Sequence, residues 1–158
     1  MGTSAGPATV ILTNAAGSTS LSAPAQILPV APGLFTLNKA GLAAAYVVRV
    51  SGGAQTIEPI FTLQNNAVVP APIDLGPPGD QVYLSFFGTG IRNAASGGVS
   101  VRINGANAPV TYAGPQTVFP GLDQVNIQLP RQLAGSGQAG VLLTAAGRTA
   151  NPAYVFFK

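Results

Sequence analysis

The sequence predicts an all-β fold, a sandwich of short antiparallel strands preceded by an N-terminal β extension, and three observations carry that prediction. Charged residues make up 7% of the 158 positions, while 20 Gly and 14 Pro punctuate the chain, a composition of strands and turns. Hydrophobic residues are 47% of the total, too many for a disordered chain. Apolar residues alternate with period two in short runs, and no window sustains helical spacing for three turns.

Taken in order, the expected strands are Thr9 to Thr13, Ala25 to Val30, Ala43 to Val50 and Thr56 to Leu63 in the first half. The second half adds "QVYLSFF", "VSVRI", "PVTY", "QVNIQL", "GVLLT" and "AYVFF". Gly52-Gly53, Asn65-Asn66, Pro77-Pro78-Gly79, Gly97-Gly98, Asn104-Gly105, Pro120-Gly121 and Gly135-Ser136-Gly137 separate them. "SVRINGANAPVTY" is the clearest hairpin, because Asn-Gly accepts the positive φ angles of a tight turn. Pro59 has no N–H for a ladder, which places its strand at an edge or at a bulge. The Ala run in "NKAGLAAAYVV" admits a short helix, but the β-branched residues after it favour a strand.

Composition excludes most chemistry. The chain has no His and no Cys, hence no Ser-His-Asp triad, no thiol nucleophile and no usual transition-metal site, and no cofactor is expected. The net charge of +3 comes from cations scattered at Lys39, Arg49, Arg92, Arg102, Arg131, Arg148 and Lys158. They form no stripe for a phosphate backbone, so nucleic acid is not an expected partner. The most apolar long stretch, Leu34 to Val50, is broken by Asn38, Lys39 and Arg49 and is not a membrane span. The start "MGTSAGPAT" has neither the basic and apolar regions of a signal peptide nor a myristoylation pattern.

From Gln81 to Phe157 the chain carries "FFGTGI", "VSVRINGANAPVTYAGPQ", "GLDQVNIQLP" and "GVLLTAAGRTANPAYVFF", with "APGLFTLN" upstream at Ala31 to Asn38. This succession resembles an immunoglobulin-like domain of the IPT/TIG, E-set type. More closely, it resembles the C-terminal domain that recurs in paralogous sets of secreted acidobacterial proteins, whose middle motif reads YAGPxxxFxGLxQVNxxLP. The resemblance covers the chain from about Gln26 to its end and implies an extracellular or cell-surface module, mostly uncharacterised, at the end of a larger exported protein. On this reading the chain divides into an N-terminal hairpin (1–25), a β-rich junction with the first strands (26–80) and the immunoglobulin-like module (81–158).

One repeat stands out. "VILTNAAGSTS" from Val10 is echoed by "VLLTAAGRT" from Val141, so the chain begins with a likeness of its own ending. The N-terminal copy reads as the last hairpin of a preceding, similar module, as in a tandem array. Detached from that module it must cover an edge of this domain or enter a neighbouring molecule, and Val10, Ile11, Leu12 and Thr13 are the candidate assembly strand. Repeated head to tail, such a contact does not close and builds filaments.

Other candidates are weaker. "YAGPQTVFPGLDQ" brings Tyr112, Gln116, Phe119 and Asp123 into one loop, and aromatic rings beside amide and carboxylate groups suit a sugar; alternatively Phe119 and Leu122 plug one end of the sandwich while Asp123 caps a turn. Asp74 and Asp80 flank "LGPPG" in the manner of a paired-carboxylate hydrolase or a calcium loop, without the dense oxygen ligands calcium needs. "GSGQAG" at Gly135 to Gly140 matches a dinucleotide fingerprint in letters but leads into a strand, where a pyrophosphate needs a helix N-terminus. A Lys39, Asn and Glu58 crosslink is the one covalent possibility. The expected function is therefore a non-enzymatic structural or adhesion module whose partners are copies of itself or adjacent modules. The alternative is a carbohydrate-binding module, with polysaccharide held by the Tyr112 to Gln124 loop.

Overall fold

The computed structural model describes residues 4–15, 17 and 20–158. The start "MGT" and, within the N-terminal repeat, Ala16, Ser18 and Thr19 lie outside the described residues. Fifteen strands follow in order: β1 (Gly6–Thr13), β2 (Ser20–Ile27), β3 (Gly33–Leu34), β4 (Ala45–Ser51), β5 (Ala54–Pro59), β6 (Phe61–Gln64), β7 (Ala67–Pro70), β8 (Gln81–Thr89), β9 (Val99–Ile103), β10 (Ala106–Ala108), β11 (Val110–Pro115), β12 (Asp123–Gln128), β13 (Gly137–Ala145), β14 (Arg148–Thr149) and β15 (Ala153–Phe157). The fold is all-β with antiparallel strand ladders, and the Ala run before Tyr46 leads straight into β4.

Two sheets share one core in a sandwich-like arrangement. The larger runs β11-β12-β8-β4-β5, with β3 added against the end of β8. The smaller runs β10-β9-β13, with β14 and β15 paired to successive parts of β13. Alternation sends Leu84 and Phe86 of β8 inward, and register aligns them with Val47 and Ala45 of β4 and with Ile127 and Val125 of β12. The smaller sheet contributes Val101, Ile103, Val141, Leu143 and Val155 to the same core. Each of the larger side chains buried in this way contributes about 1.5–3 kcal/mol. Val30, Leu34, Leu42, Ile60, Ile73 and Leu75, from the stretch 26–80, belong to that core as well.

Several strand expectations change on inspection. "TIEPIFTL" is not one strand: Pro59 ends β5, Ile60 turns into the core, and the chain restarts as β6, which pairs with β7 instead of β4. The edge placement of Pro59 holds, since β5 is the last strand of the larger sheet. The Asn104-Gly105 turn forms with φ of 48° and 82°, joining β9 to β10. That hairpin is shorter than the sequence implies, because the chain crosses at Pro109 and β11 pairs with β12 in the opposite sheet. The expected strand Ala25 to Val30 begins and ends earlier, as β2, with Val30 already in the core.

Gly88 and Gly90 do more than bend a strand end. Ala31 donates to the Gly90 carbonyl at 3.0 Å, and Gly33 and Leu34 pair with Thr89 and Gly88. A β-carbon at Gly88 would overlap the Gly33 carbonyl, and one at Gly90, where φ is +71°, would overlap that of Ala31. The "GTG" glycines are thus the dock for the "APGLF" segment.

Candidate functional site

The two copies of the repeated sequence form hairpins that share their register away from the loop. In β1 and β2, Gly6, Ala8 and Val10 face Ile27, Ala25 and Ala23. In β13 and β15, Gly137, Ala139 and Val141 face Phe157, Val155 and Ala153. "GPATV" and "GQAGV" therefore occupy the same register, while towards the loop the two hairpins part by one residue, Thr13 pairing with Ser20 but Thr144 with Thr149 of β14, where Asn14 is the insertion in the first copy.

Their surroundings differ completely. Val141 and Leu143 point into the core, at 6% and 1% exposure, whereas the equivalent Val10 and Leu12 are 50% and 66% exposed. Leu21 lies opposite Leu12 on the same face and is exposed too. Ile11 corresponds to Leu142, which is exposed even within the sandwich, so its exposure is ordinary. Thr13 pairs with Ser20 at the loop end. The candidate assembly residues are thus brought together on a two-stranded ribbon that shares a ladder with no other described strand. A two-stranded hairpin is marginal alone in water and gains stability from covering its apolar face.

The second candidate, the loop from Tyr112 to Gln124, separates into an exposed part and a buried anchor. Gln116 accepts through Oε1 from the N–H groups of Val118 and Phe119, which holds both side chains outward at 69% and 62% exposure. Phe119 therefore does not plug the sandwich. Tyr112 donates its hydroxyl to the Pro115 carbonyl at 2.6 Å and borders a shallow depression of about 230 Å³ with Gln116, Gln124 and Asn126. Asp123 faces the other way. It is fully buried and accepts from Ile91 N at 2.7 Å, Arg92 N at 3.1 Å and Arg92 Nε at 2.5 Å. It clamps the connection after β8 and has no oxygen free for a surface ligand on the loop.

The remaining acids are each engaged by cations or backbone. Arg49 holds Glu58 through two hydrogen bonds of 2.6 and 3.1 Å, reaches Asp80 at 3.2 Å and donates to the Asp74 carbonyl. The hydrogen bond from Arg49 holds the Glu58 carboxyl below its ordinary pKa, and the same partnership raises that of Arg49. Asp74 accepts from the Gly76 N–H and pairs with Lys158, which lowers its pKa in that order of weight. Asp74 and Asp80 accordingly form no opposed pair for hydrolysis or calcium. Lys39 is exposed and Glu58 is occupied by Arg49, so the crosslinking triad is not assembled either. "GSGQAG" runs directly into β13. Among the described residues no cluster of acids is grouped as a metal site, and no helix is long and apolar enough to cross a membrane.

Sequence reasoning passed over Arg49 and Arg92, which it treated only as scattered cations. Their partners lie far away along the chain, so no local spacing marks them. No family model, curated protein or solved structure matches the chain.

Proposed function

We propose that this chain is a non-enzymatic structural or adhesion module of an extracellular tandem-repeat protein, with an immunoglobulin-like sandwich of the IPT/TIG type. In this reading the β1–β2 hairpin couples it to copies of itself or to adjacent modules. One observation carries the proposal: a hairpin that repeats the register of β13–β15 stands with Val10, Leu12 and Leu21 in water. Exposed apolar strands with free ladder groups gain free energy from pairing, and a head-to-tail contact between such modules propagates without closing. The resemblance of residues 26–158 to a recurrent module of secreted proteins supports the extracellular setting.

The test is the solution mass, by light scattering with electron microscopy, of the whole chain and of a version lacking residues 1–24. The expected result is oligomers or filaments from the whole chain and monomers from the deletion. Monomers from both would overturn coupling through the hairpin.

A second reading, carbohydrate binding, is favoured by the exposed Phe119 and the amide-lined depression beside Tyr112. Polysaccharide pull-down with Tyr112→Ala and Phe119→Ala separates it from the first. Retention that both substitutions leave unaltered, or no retention at all, counts against it.

A further inference from the structure

The smaller sheet has a gap. β10 pairs only with Val101, Arg102 and Ile103 of β9, so Val99 and Ser100 have β13 on one side and, among the described residues, no strand on the other. The cause is local: at Pro109 the chain leaves this sheet for the opposite one, and the ladder stops where β10 would have continued. The gap opens into a groove of about 590 Å³ walled by β9 and β10 on one side and β11 on the other. At its floor the core shows through, with Val99, Val110 and Ala94 only partly buried.

Two other sheet edges are guarded against pairing. The outer edge of β5 carries Glu58 and Pro59, a charge and a missing donor that discourage an added strand. The outer edge of β15 is covered by main-chain hydrogen bonds: Ala43 and Ile73 donate to Tyr154 and Phe156, and Tyr154 donates to Gly41. The groove has no such guard: none of the residues lining it is charged, and neither is any residue from Gly6 to Ile27. One uncharged hairpin with an apolar face, and one uncharged gap that lacks a strand and exposes part of Val99, Val110 and Ala94 among polar neighbours, occur in the same chain.

From this complementarity we infer that the β1–β2 hairpin of one copy enters the groove between β9 and β11 of a second copy. There β1 pairs with the open edge of β9 at Val99 and Ser100 and turns Val10 and Leu12 toward Val110. At 8 residues β1 is about 26 Å long, enough to run the length of β11, which has 6. The donor lies on one part of the chain and the acceptor on another, so every copy that receives a hairpin still offers its own, and the contact is head to tail. This inference rests on the coupling role proposed above and names its receiving site.

Because the chain has no Cys, single cysteines report the contact cleanly. Thr9→Cys chains are mixed with Ser100→Cys chains under mild oxidation, and separately with Gln55→Cys chains, whose cysteine lies on the outer strand β5. The expected result is heterodimer with Ser100→Cys in at least ten-fold excess over heterodimer with Gln55→Cys. Equal yields, or a disulfide that forms only inside a monomeric Thr9→Cys, Ser100→Cys double variant, overturn the groove as the receiving site in trans. If oligomers still require residues 1–24 while Ser100→Cys is not favoured, the groove fails and hairpin coupling stands. If the whole chain is monomeric and nothing crosslinks, both fail. Ser100→Arg supplies an independent check, since residue 100 is exposed: the variant is expected to keep the far-UV circular dichroism of the parent and lose its oligomers. Unchanged oligomers in that variant also overturn the site.

Discussion

Replacing Asp123 with Ala removes the one fully buried carboxylate among the described residues. In the folded protein it satisfies the N–H groups of Ile91 and Arg92 and pairs with the Arg92 guanidinium. Without it the Ile91 N–H is left in a buried position, at about 1–3 kcal/mol for an unsatisfied donor, and the Arg92 N–H adds a smaller cost where water reaches it. The Arg92 side chain is 35% exposed and keeps its bond to the Leu122 carbonyl, so its charge can turn to solvent. The expected loss is therefore about 2–4 kcal/mol, the sum of the two donors, and stays below the cost of a pair whose remaining charge is held in the interior. Against a stability of about 5–15 kcal/mol this is a large fraction.

Urea unfolding followed by far-UV circular dichroism measures it, since the chain has no Trp. With a slope of about 2 kcal/mol/M, the midpoint falls by about 1–2 M. Asp123→Asn keeps an acceptor oxygen for the Ile91 N–H and is expected to fall between the variant and the parent. A midpoint within 0.5 M of the parent for Asp123→Ala, roughly 1 kcal/mol at that slope, would refute the clamp.

Further outcomes follow from the same geometry. Leu143→Ala should cost about 2–5 kcal/mol, as a core deletion does, while Leu12→Ala should change monomer unfolding by less than about 0.5 kcal/mol; equal losses in urea titrations would mean that the hairpin packs on its own domain. Gly90→Ala should lower the thermal midpoint, because it meets both the Ala31 carbonyl and a φ of +71°, whereas alanine at Gly140, with no neighbour within 4 Å, should be tolerated there. The pKa of Glu58 is lowered in the folded protein, so its pairing contributes stability above the ordinary carboxylate range that is lost as pH falls through the folded value. Arg49→Met should flatten that acid limb of a stability-against-pH curve, and an unchanged slope would count against the pair.

The fold class was legible because period-two alternation and turn residues are local signals. The runs at β4, β8, β9, β12, β13 and β15 name their own strands, and Asn104-Gly105 names its turn. Strands β3 and β7 were missed for the complementary reason: "GL" and "AVVP" have too few residues for a period and exist because β8 and β6 are there to pair with them. Pro59 was visible as an interruption and Pro109 was read as part of the hairpin "SVRINGANAPVTY", because which sheet the chain enters after each depends on edges supplied by distant strands. The loop from Tyr112 to Gln124 looked like one cluster, and only Arg92, supplied by the connection after β8, shows why Asp123 turns away from Phe119.

Sequence alone determined the alternating strands, the absence of His and Cys, and the duplication of the terminal hairpin, since each is a property of residue order. Tertiary structure decided the environment of each copy. Val141 and Val10 each stand opposite an alanine in corresponding hairpins, yet Val141, which also pairs with Ile103 of β9, is in the core and Val10 is half exposed. Burial is set by what packs on a face, and a strand's own residues specify only which face is ready to be covered.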